Sequence, residues 1–152
     1  MQRIFHTPEG VRDIYNGECS QKRKVQEKIH RVFHQYGYED IETPTFEYFE
    51  VFSREVGTIP SRELYKFFDR EGNTLVLRPD FTPSVSRACA TYFNPDEEPV
   101  SLCYTGNTFI NNSSYRGRLK ETTQMGVEHI GDESADADAE LLAMTVECLL
   151  AA

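Results

Sequence analysis

The sequence predicts an α+β fold, in which an antiparallel sheet is flanked by helices. Three observations predict it: an amphipathic helical stretch at 20–36, a hairpin pattern at 64–78, and two longer strand patterns at 101–109 and 119–130. Strands and helices of this kind stack as layers, because each element has one apolar face to bury. The 152 residues and 39% hydrophobic content suffice for one domain with a real core.

The first regular element is predicted as a helix from Ser20 to Tyr36. Ser20 is suited to the N-cap, and Gly37 is a residue type that ends helices. One apolar stripe runs along it, formed by Val25, Ile29, Val32, Phe33 and Tyr36. His30 and His34 lie four residues apart without a metal-binding motif, and they are interpreted as ordinary surface residues. A short strand follows and ends at Pro44.

The middle of the chain is predicted to contain a short helix, a hairpin and a longer helix. The short helix covers 46–56, and a loop follows at 57–61. The hairpin turns at 69–73, where Gly and Asn tolerate positive φ. Its second strand ends at Pro79, after which Asp80 or Thr82 is expected to cap a helix at Ser84–Phe93.

The strands at 101–109 and 119–130 flank a loop of turn-forming residues at 111–117. Alternation along the second strand divides its side chains between two faces. The predicted core face carries Leu119, Thr123, Met125 and Val127, and the other face carries Lys120, Thr122, Gln124 and Glu128. Gly126 has no side chain, so an amide and an acid would border space for a small ligand. A solvated sheet face is the plain alternative.

The last predicted elements are an acidic loop at 132–138 and a helix at 139–152. Residues predicted to face inward on this helix are Leu141, Leu142, Thr145 and Leu149. The helix carries no glycine or proline stop signal. We therefore expect residues 1–152 to be the N-terminal part of a longer domain.

The composition limits the possible partners. A net charge of −9 argues against nucleic-acid binding, which requires clustered lysine and arginine. The four cysteines show no paired spacing for a metal or redox site, and no cofactor is predicted. No signal peptide or membrane-spanning run is present, so the expected location is cytoplasmic, without membrane partners.

Several motifs resemble those of histidyl-tRNA synthetases, which are class II aminoacyl-tRNA synthetases. GVRD at 10–13 resembles the Gly-x-Arg-Asp opening of this group, and the longer PEGVRD at 8–13 is similar to the opening of a paralogue of the synthetases. The helix and strand around Gly37 resemble motif 1. RPDFT at 78–82 resembles its Arg-Pro-Glu-x-Thr, and QMGVE at 124–128 resembles the second strand of motif 2. The resemblance covers nearly the whole chain and implies a class II synthetase-like antiparallel sheet flanked by helices.

The first strand of motif 2 departs from the family pattern. Where the family has Phe-Arg-x-Glu, Phe109 is followed by Ile110 and later by Asn112. In the family the arginine stabilises charge on the α-phosphate of ATP during adenylate formation, and the glutamate contacts adenine. Their replacement implies that the chain does not activate histidine.

The amino-acid side of the family's pocket is retained. The resemblance implies that Asp80 and Thr82 contact the α-amino group of L-histidine, which requires a carboxylate. It places Gln124 and Glu128 under the imidazole and Arg118 near the ligand's carboxylate.

This combination resembles the regulatory subunit of ATP phosphoribosyltransferase, a paralogue of the synthetases. The resemblance implies a non-catalytic subunit that the short catalytic subunit needs for activity, and that takes part in feedback inhibition by histidine. It also implies homodimerisation through the motif-1-like region. Two alternatives remain open: a histidyl-tRNA synthetase fragment with ATP-dependent aminoacylation, and a pseudo-synthetase domain that senses tRNA.

Overall fold

The computed structural model describes residues 5–53, 59–112 and 117–152. The α+β class is confirmed by the order of elements: α1 Asn16–Gln35, β1 Glu39–Asp40, β2 Phe46–Tyr48, α2 Phe49–Ser53, a 3₁₀ turn Ser61–Glu63, β3 Lys66–Phe68, β4 Thr74–Leu77, α3 Thr82–Tyr92, β5 Val100–Phe109, β6 Glu121–Ile130 and α4 Ala135–Ala151. The strands form two sheets, in the orders β1-β5-β6 and β2-β4-β3.

The chain divides into two compact units. Unit 1 comprises 1–14, 44–84 and 106–124, and unit 2 comprises 15–43, 85–105 and 125–152. Strands β5 and β6 therefore contribute residues to both units. Among the described residues, no helix combines the length and the apolar character needed to cross a membrane.

The core of unit 2 lies where α1, β5 and α4 pack together. Its buried residues are Val32, Phe33, Tyr38, Cys103 and Met144. The predicted stripe of α1 is confirmed for four of its five residues, because Ile29 and Tyr36 also pack against this core; the fifth, Val25, is half-buried. Short strand β1 pairs in parallel with β5, with Asp40 opposite Cys103.

Helix α1 ends as predicted but begins earlier. Gly37 follows it with φ of 80°, and its N–H donates to the carbonyl of His34 at 3.1 Å. The helix begins at Asn16, after an extended Tyr15, so the prediction of Ser20 as N-cap is wrong. The first helical turn is already formed before Ser20, since the N–H of Cys19 donates to the carbonyl of Tyr15 at 3.4 Å.

Unit 1 contains the predicted hairpin. Strand β4 pairs antiparallel with β3 on one side and β2 on the other. In the turn, the Asp69 carboxylate accepts from the backbone N–H and the side-chain amide of Asn73, both at 2.8 Å, and Gly72 has φ of 88°. The predicted helix at 46–56 is wrong in its first three residues, because β2 gains ladder bonds from β4 before the chain turns into α2 at Phe49–Ser53. Residues 54–56 of this prediction lie outside the described residues.

The pairing of β5 with β6 is antiparallel, since side chains on the two strands meet in opposite order. Within unit 1 the hydroxyl groups of Thr108 and Thr122 lie 3.0 Å apart. Within unit 2 the hydroxyl of Ser101, earlier on β5, lies 2.9 Å from Nδ1 of His129, later on β6. Met125 and Val127 pack on the core as predicted. Leu119 does not, because it precedes the first residue of β6 and is 43% exposed.

Helix α4 faces the core differently from the prediction. It begins at Ala135, where the Ser134 hydroxyl accepts from the N–H of Ala137 at 3.2 Å. The residues on the core side are Leu141, Met144, Cys148 and Ala151. Leu142 and Leu149 are 69% and 75% exposed, and Thr145 is exposed too, so all three inward predictions for them are wrong. The helix carries a second apolar stripe, and packing selected the one that contains Met144.

Candidate functional site

The corner between β4 and α3 is held in place by Arg78. This side chain is buried, and its Nε donates to the carbonyl of Asn107 at 2.8 Å. Its guanidinium also lies over the ring of Phe81, 4.1 Å from the ring centroid. Gly106 makes room for this stack, because a Cβ there would lie 2.6 Å from an Arg78 nitrogen. Burial lowers the pKa of Arg78 from its usual value.

Asp80 and Gln124, two residues predicted for the histidine site, are brought together in unit 1. Asp80 Oδ1 accepts from the Phe81 N–H at 2.7 Å and from Gln124 Nε2 at 3.4 Å. Thr82 is the first residue of α3 and is partly buried, so the helix begins two residues before the predicted Ser84. A carboxylate at the start of a helix, next to an amide, is suited to an ammonium group or a hydrogen-bond donor.

Glu128 lies in unit 2 and has a partner that the sequence did not indicate. The buried Tyr104 donates its hydroxyl to Glu128 Oε1 at 3.4 Å. The ring of Tyr104 also lies against Gly126, where an added Cβ would collide with the Tyr104 hydroxyl and approach its Cζ to 2.6 Å. The prediction of open space for a ligand over Gly126 is therefore wrong. The absent side chain accommodates Tyr104, and the alternation pattern alone contained no signal for this cross-strand contact.

The motif-2-like turn closes through backbone and side-chain hydrogen bonds in unit 1. The N–H of Ile110 donates to the carbonyl of Lys120 at 2.9 Å, and Asn112 Nδ2 donates to the carbonyl of Leu119 at 3.3 Å. Ile110 supplies no charge, and Asn112 contacts backbone of its own loop. Arg118 is exposed at the end of this loop. Residues 113–116 of the predicted loop lie outside the described residues.

A second group of polar side chains lies in unit 2, where the sequence analysis predicted no site. His30 Nε2 is 2.7 Å from Asp40 Oδ1, and His34 Nε2 is 3.0 Å from Asp40 Oδ2. The thiol of Cys103 donates to Asp40 Oδ1 at 3.5 Å. The two histidines lie on the helix surface, as interpreted, with side chains 41% and 47% exposed, but both contact Asp40, a carboxylate that the sequence did not place beside them. Their i, i+4 spacing was the available signal, whereas Cys103 joins them only through the pairing of β1 with β5.

Electrostatics in this second group follow from burial and hydrogen bonding. The hydrogen bond from His30 lowers the pKa of Asp40, and bonds from Cys103 and His34 act in the same direction. Burial, together with the adjacent Asp40 charge, raises the pKa of the Cys103 thiol to about 12. The thiol is therefore protonated at neutral pH unless a cation replaces its proton.

Comparison with curated proteins finds close relatives. One from Ruminiclostridium cellulolyticum, named ATP phosphoribosyltransferase regulatory subunit, is 46% identical over 145 residues, which are 95% of this chain and 35% of the relative. One of the same name from Acetivibrio thermocellus is 42% identical over 147 residues, which are 97% of this chain and 35% of the relative. The chain thus spans about a third of the length of these relatives.

Comparison with solved structures gives the same fold. A crystal structure from Bacillus halodurans, described as an ATP phosphoribosyltransferase regulatory subunit/histidyl-tRNA synthetase, superposes with a TM-score of 0.88 at 35% identity. The match covers 99% of this chain and 38% of that one. The family model described as histidyl-tRNA synthetase matches residues 10–152. The chain therefore belongs to the histidyl-tRNA synthetase family.

Proposed function

We propose that this chain is part of a non-catalytic regulatory subunit of ATP phosphoribosyltransferase, the enzyme that begins histidine biosynthesis. In this proposal the subunit associates with a short catalytic subunit, is needed for its activity, and takes part in feedback inhibition by L-histidine. The relatives of 46% and 42% identity carry this name, which favours the regulatory role over aminoacylation.

The observation that carries the non-catalytic part of the proposal is Ile110. Adenylate formation places negative charge on the α-phosphate, and an apolar side chain cannot stabilise it. Loss of one preorganised donor of this kind costs about 10²–10³ in rate. Asn112 replaces the second charged residue of the motif and is engaged with the carbonyl of Leu119 at 3.3 Å. Both changes affect the ATP side of the site.

The residues proposed for the amino-acid side retain the chemistry that histidine requires. In unit 1 the carboxylate of Asp80, next to Thr82, is suited to the α-ammonium group. Gln124 is hydrogen-bonded to Asp80 at 3.4 Å and is assigned, with Glu128 of unit 2, to the imidazole. Arg118 is assigned to the ligand's carboxylate. These assignments rest on the resemblance of the two sequence motifs.

Feedback inhibition requires more than a binding site. Histidine inhibits only if it binds the inhibited state of the assembly more tightly than the active state. The proposal therefore predicts that histidine binding and catalytic-subunit activity are coupled, and that loss of histidine affinity shifts the inhibition curve without abolishing activation.

The test uses the full-length protein mixed with the short catalytic subunit from the same organism. Phosphoribosyl-ATP formation is expected only in the mixture and is expected to fall when L-histidine is added. Glu128→Gln is the informative variant, because glutamine keeps an acceptor for the Tyr104 hydroxyl while the charge is removed. Asp80→Asn likewise keeps the acceptor for the Phe81 N–H.

Each variant is expected to raise the histidine concentration for half-inhibition by about 10–100-fold, the range for a lost hydrogen bond to a charged group. Glu133→Gln, an exposed acid outside the proposed site, is the matched control. Absence of activation, together with histidine-dependent pyrophosphate exchange by the protein alone, would assign it to the synthetases instead.

A further inference from the structure

Four side chains that the proposed function does not use meet in unit 2, where α1, β1 and β5 come together. Each offers one potential ligand atom, and these atoms all lie within 4.8 Å of one another. We propose that His30, His34, Asp40 and Cys103 form a binding site for a Zn²⁺ ion. This inference is independent of the regulatory role, since it rests on the geometry of unit 2 alone.

The backbone that presents these ligands is well supported. His30 and His34 lie one helical turn apart on α1, with ring centroids 4.3 Å apart. Asp40 is opposite Cys103 in the parallel β1–β5 pair, and the next N–H, that of Ile41, donates to the Cys103 carbonyl at 2.9 Å. Residues flanking the ligands, Val32 and Phe33, are buried in the same core as Cys103. The ligands therefore sit on packed elements rather than on a loop.

The spacing suits a four-coordinate ion. Zn–N and Zn–O bonds of about 2.0–2.2 Å and a Zn–S bond of about 2.3 Å place tetrahedral ligand atoms roughly 3.3–3.7 Å apart. The oxygens of Asp40 lie 2.7 Å from His30 Nε2, 3.0 Å from His34 Nε2 and 3.5 Å from Cys103 Sγ. Side-chain rotation alone can admit the ion, because the two imidazoles and the carboxylate are partly exposed.

The donor set selects the class of metal. Two imidazole nitrogens, a thiol sulfur and one carboxylate match the ligands of Zn²⁺, whereas Mg²⁺ and Ca²⁺ take oxygen ligands. Four protein ligands leave no open coordination position, which is typical of a structural site. When Zn²⁺ binds, the Cys103 thiol loses its proton to solvent, and any proton shared between the imidazoles and Asp40 is released with it.

A route for the ion is open from the surface. A cavity of about 490 Å³ is bordered by His30 and Asp40. Two further carboxylates, Glu27 and Glu42, line it together with one guanidinium, that of Arg23. The acids outnumber the base, so the field at the entrance favours a cation.

The test uses untagged full-length protein, so that no affinity tag supplies histidines. One zinc ion per chain is expected to remain after gel filtration, measured by inductively coupled plasma mass spectrometry. Exchange of Zn²⁺ for Co²⁺ is expected to give tetrahedral d–d absorption and a thiolate-to-cobalt charge-transfer band. Added Zn²⁺ is also expected to raise the melting temperature, because an ion that binds the folded state stabilises it.

Two variants separate a metal site from a hydrogen-bonded cluster. Cys103→Ser is expected to remove the charge-transfer band, and Cys89→Ser is its control, because Cys89 is a second buried thiol outside the cluster. His34→Asn changes a side chain that is 47% exposed and leaves the core intact. It is expected to weaken Zn²⁺ binding by more than about 100-fold, since loss of a supporting residue alone costs about 10–100-fold. His6→Asn is its control.

The proposal is overturned if wild-type protein retains no Zn²⁺ after gel filtration. It is also overturned if the Co²⁺ complex lacks the thiolate band, or if His34→Asn binds Zn²⁺ as tightly as wild type. In those cases the four residues form only a hydrogen-bonded network around Asp40.

Discussion

At the level of single residues, Gly126 is required by its neighbour rather than by its own backbone. The ring of Tyr104 occupies the position that a side chain would take, with Cζ 2.6 Å and Cε2 2.9 Å from an added Cβ. The hydroxyl of Tyr104 also donates to Glu128, a residue proposed to contact the imidazole of bound histidine. The glycine therefore connects packing inside unit 2 to the orientation of a proposed binding residue.

Gly126→Ala is expected to lower the free energy of unfolding by about 1–3 kcal/mol, the usual cost of an overpacked site. Urea denaturation of the variant and wild type measures the difference. Gly17→Ala is the control, because nothing lies within 4 Å of a Cβ there and alanine favours the helix by up to about 1 kcal/mol. Equal effects of the two substitutions would contradict the contact with Tyr104.

Asp69 provides a residue-scale prediction about pH. The side-chain amide of Asn73 and several backbone N–H groups lower the pKa of Asp69 below its ordinary value of 3.8. A lowered pKa in the folded state means that the ionised form stabilises the turn. This contribution is fully present above the unfolded-state pKa and is lost as the pH falls through the lower folded-state pKa.

Carboxyl-carbon NMR during an acid titration should therefore show Asp69 with a midpoint below 3.8. Asn73→Ala removes the largest cause and should move the midpoint back toward the ordinary value. An Asp69 midpoint at or above its ordinary value would refute the hydrogen-bonded turn.

At the level of elements, α4 has two apolar stripes and buries one of them. The core stripe contains Met144, which is 1% exposed, whereas the outer stripe contains Leu142, Val146 and Leu149. A helix apolar on both sides gives an ambiguous periodicity, so the sequence could not identify the buried side. Packing against α1 decides it, because Met144 and Phe33 share one core.

Alanine substitutions in the buried and in the exposed stripe are expected to change the stability of the 152-residue chain by different amounts. Met144→Ala is expected to cost about 2–5 kcal/mol, because it leaves a cavity in a packed core. Leu149→Ala is expected to change stability by less than about 0.5 kcal/mol, as for ordinary surface positions. Chemical denaturation of both variants checks this. A larger loss for Leu149→Ala would mean that the assignment of the faces is reversed.

At the level of the whole molecule, charge is the property with the broadest consequence. The net charge of −9 opposes the binding of phosphate backbones, which depends on released counterions and clustered bases. We therefore expect this segment not to bind tRNA, although the chain belongs to the histidyl-tRNA synthetase family.

When this chain is added to fluorescently labelled tRNA, anisotropy is expected to show no saturable binding at about 0.15 M salt. At this salt concentration surface charges are screened beyond about 8 Å. A full-length histidyl-tRNA synthetase from the same organism provides the positive control. Saturable binding that persists at this salt concentration would favour the tRNA-sensing alternative.

The fold class, the hairpin, the long strands and most of α1 could be predicted from the sequence. These features depend on local period and on turn chemistry, which residues such as Gly37 and Asn73 express without help from distant segments. The sequence also placed Asp80 and Gln124 in one proposed pocket, because their motifs resemble those of one family. In the structure Gln124 Nε2 donates to Asp80 Oδ1 at 3.4 Å, a contact that the motifs themselves did not predict.

Three other features depend on contacts between elements that are far apart in the sequence. Tyr104 fills the space over Gly126, Cys103 joins His30, His34 and Asp40, and Met144 rather than Leu142 lies in the core. Each depends on which residues of separate elements lie opposite one another. Strand register and helix rotation are set by the packing of the whole unit, and neither is encoded in a short stretch of sequence.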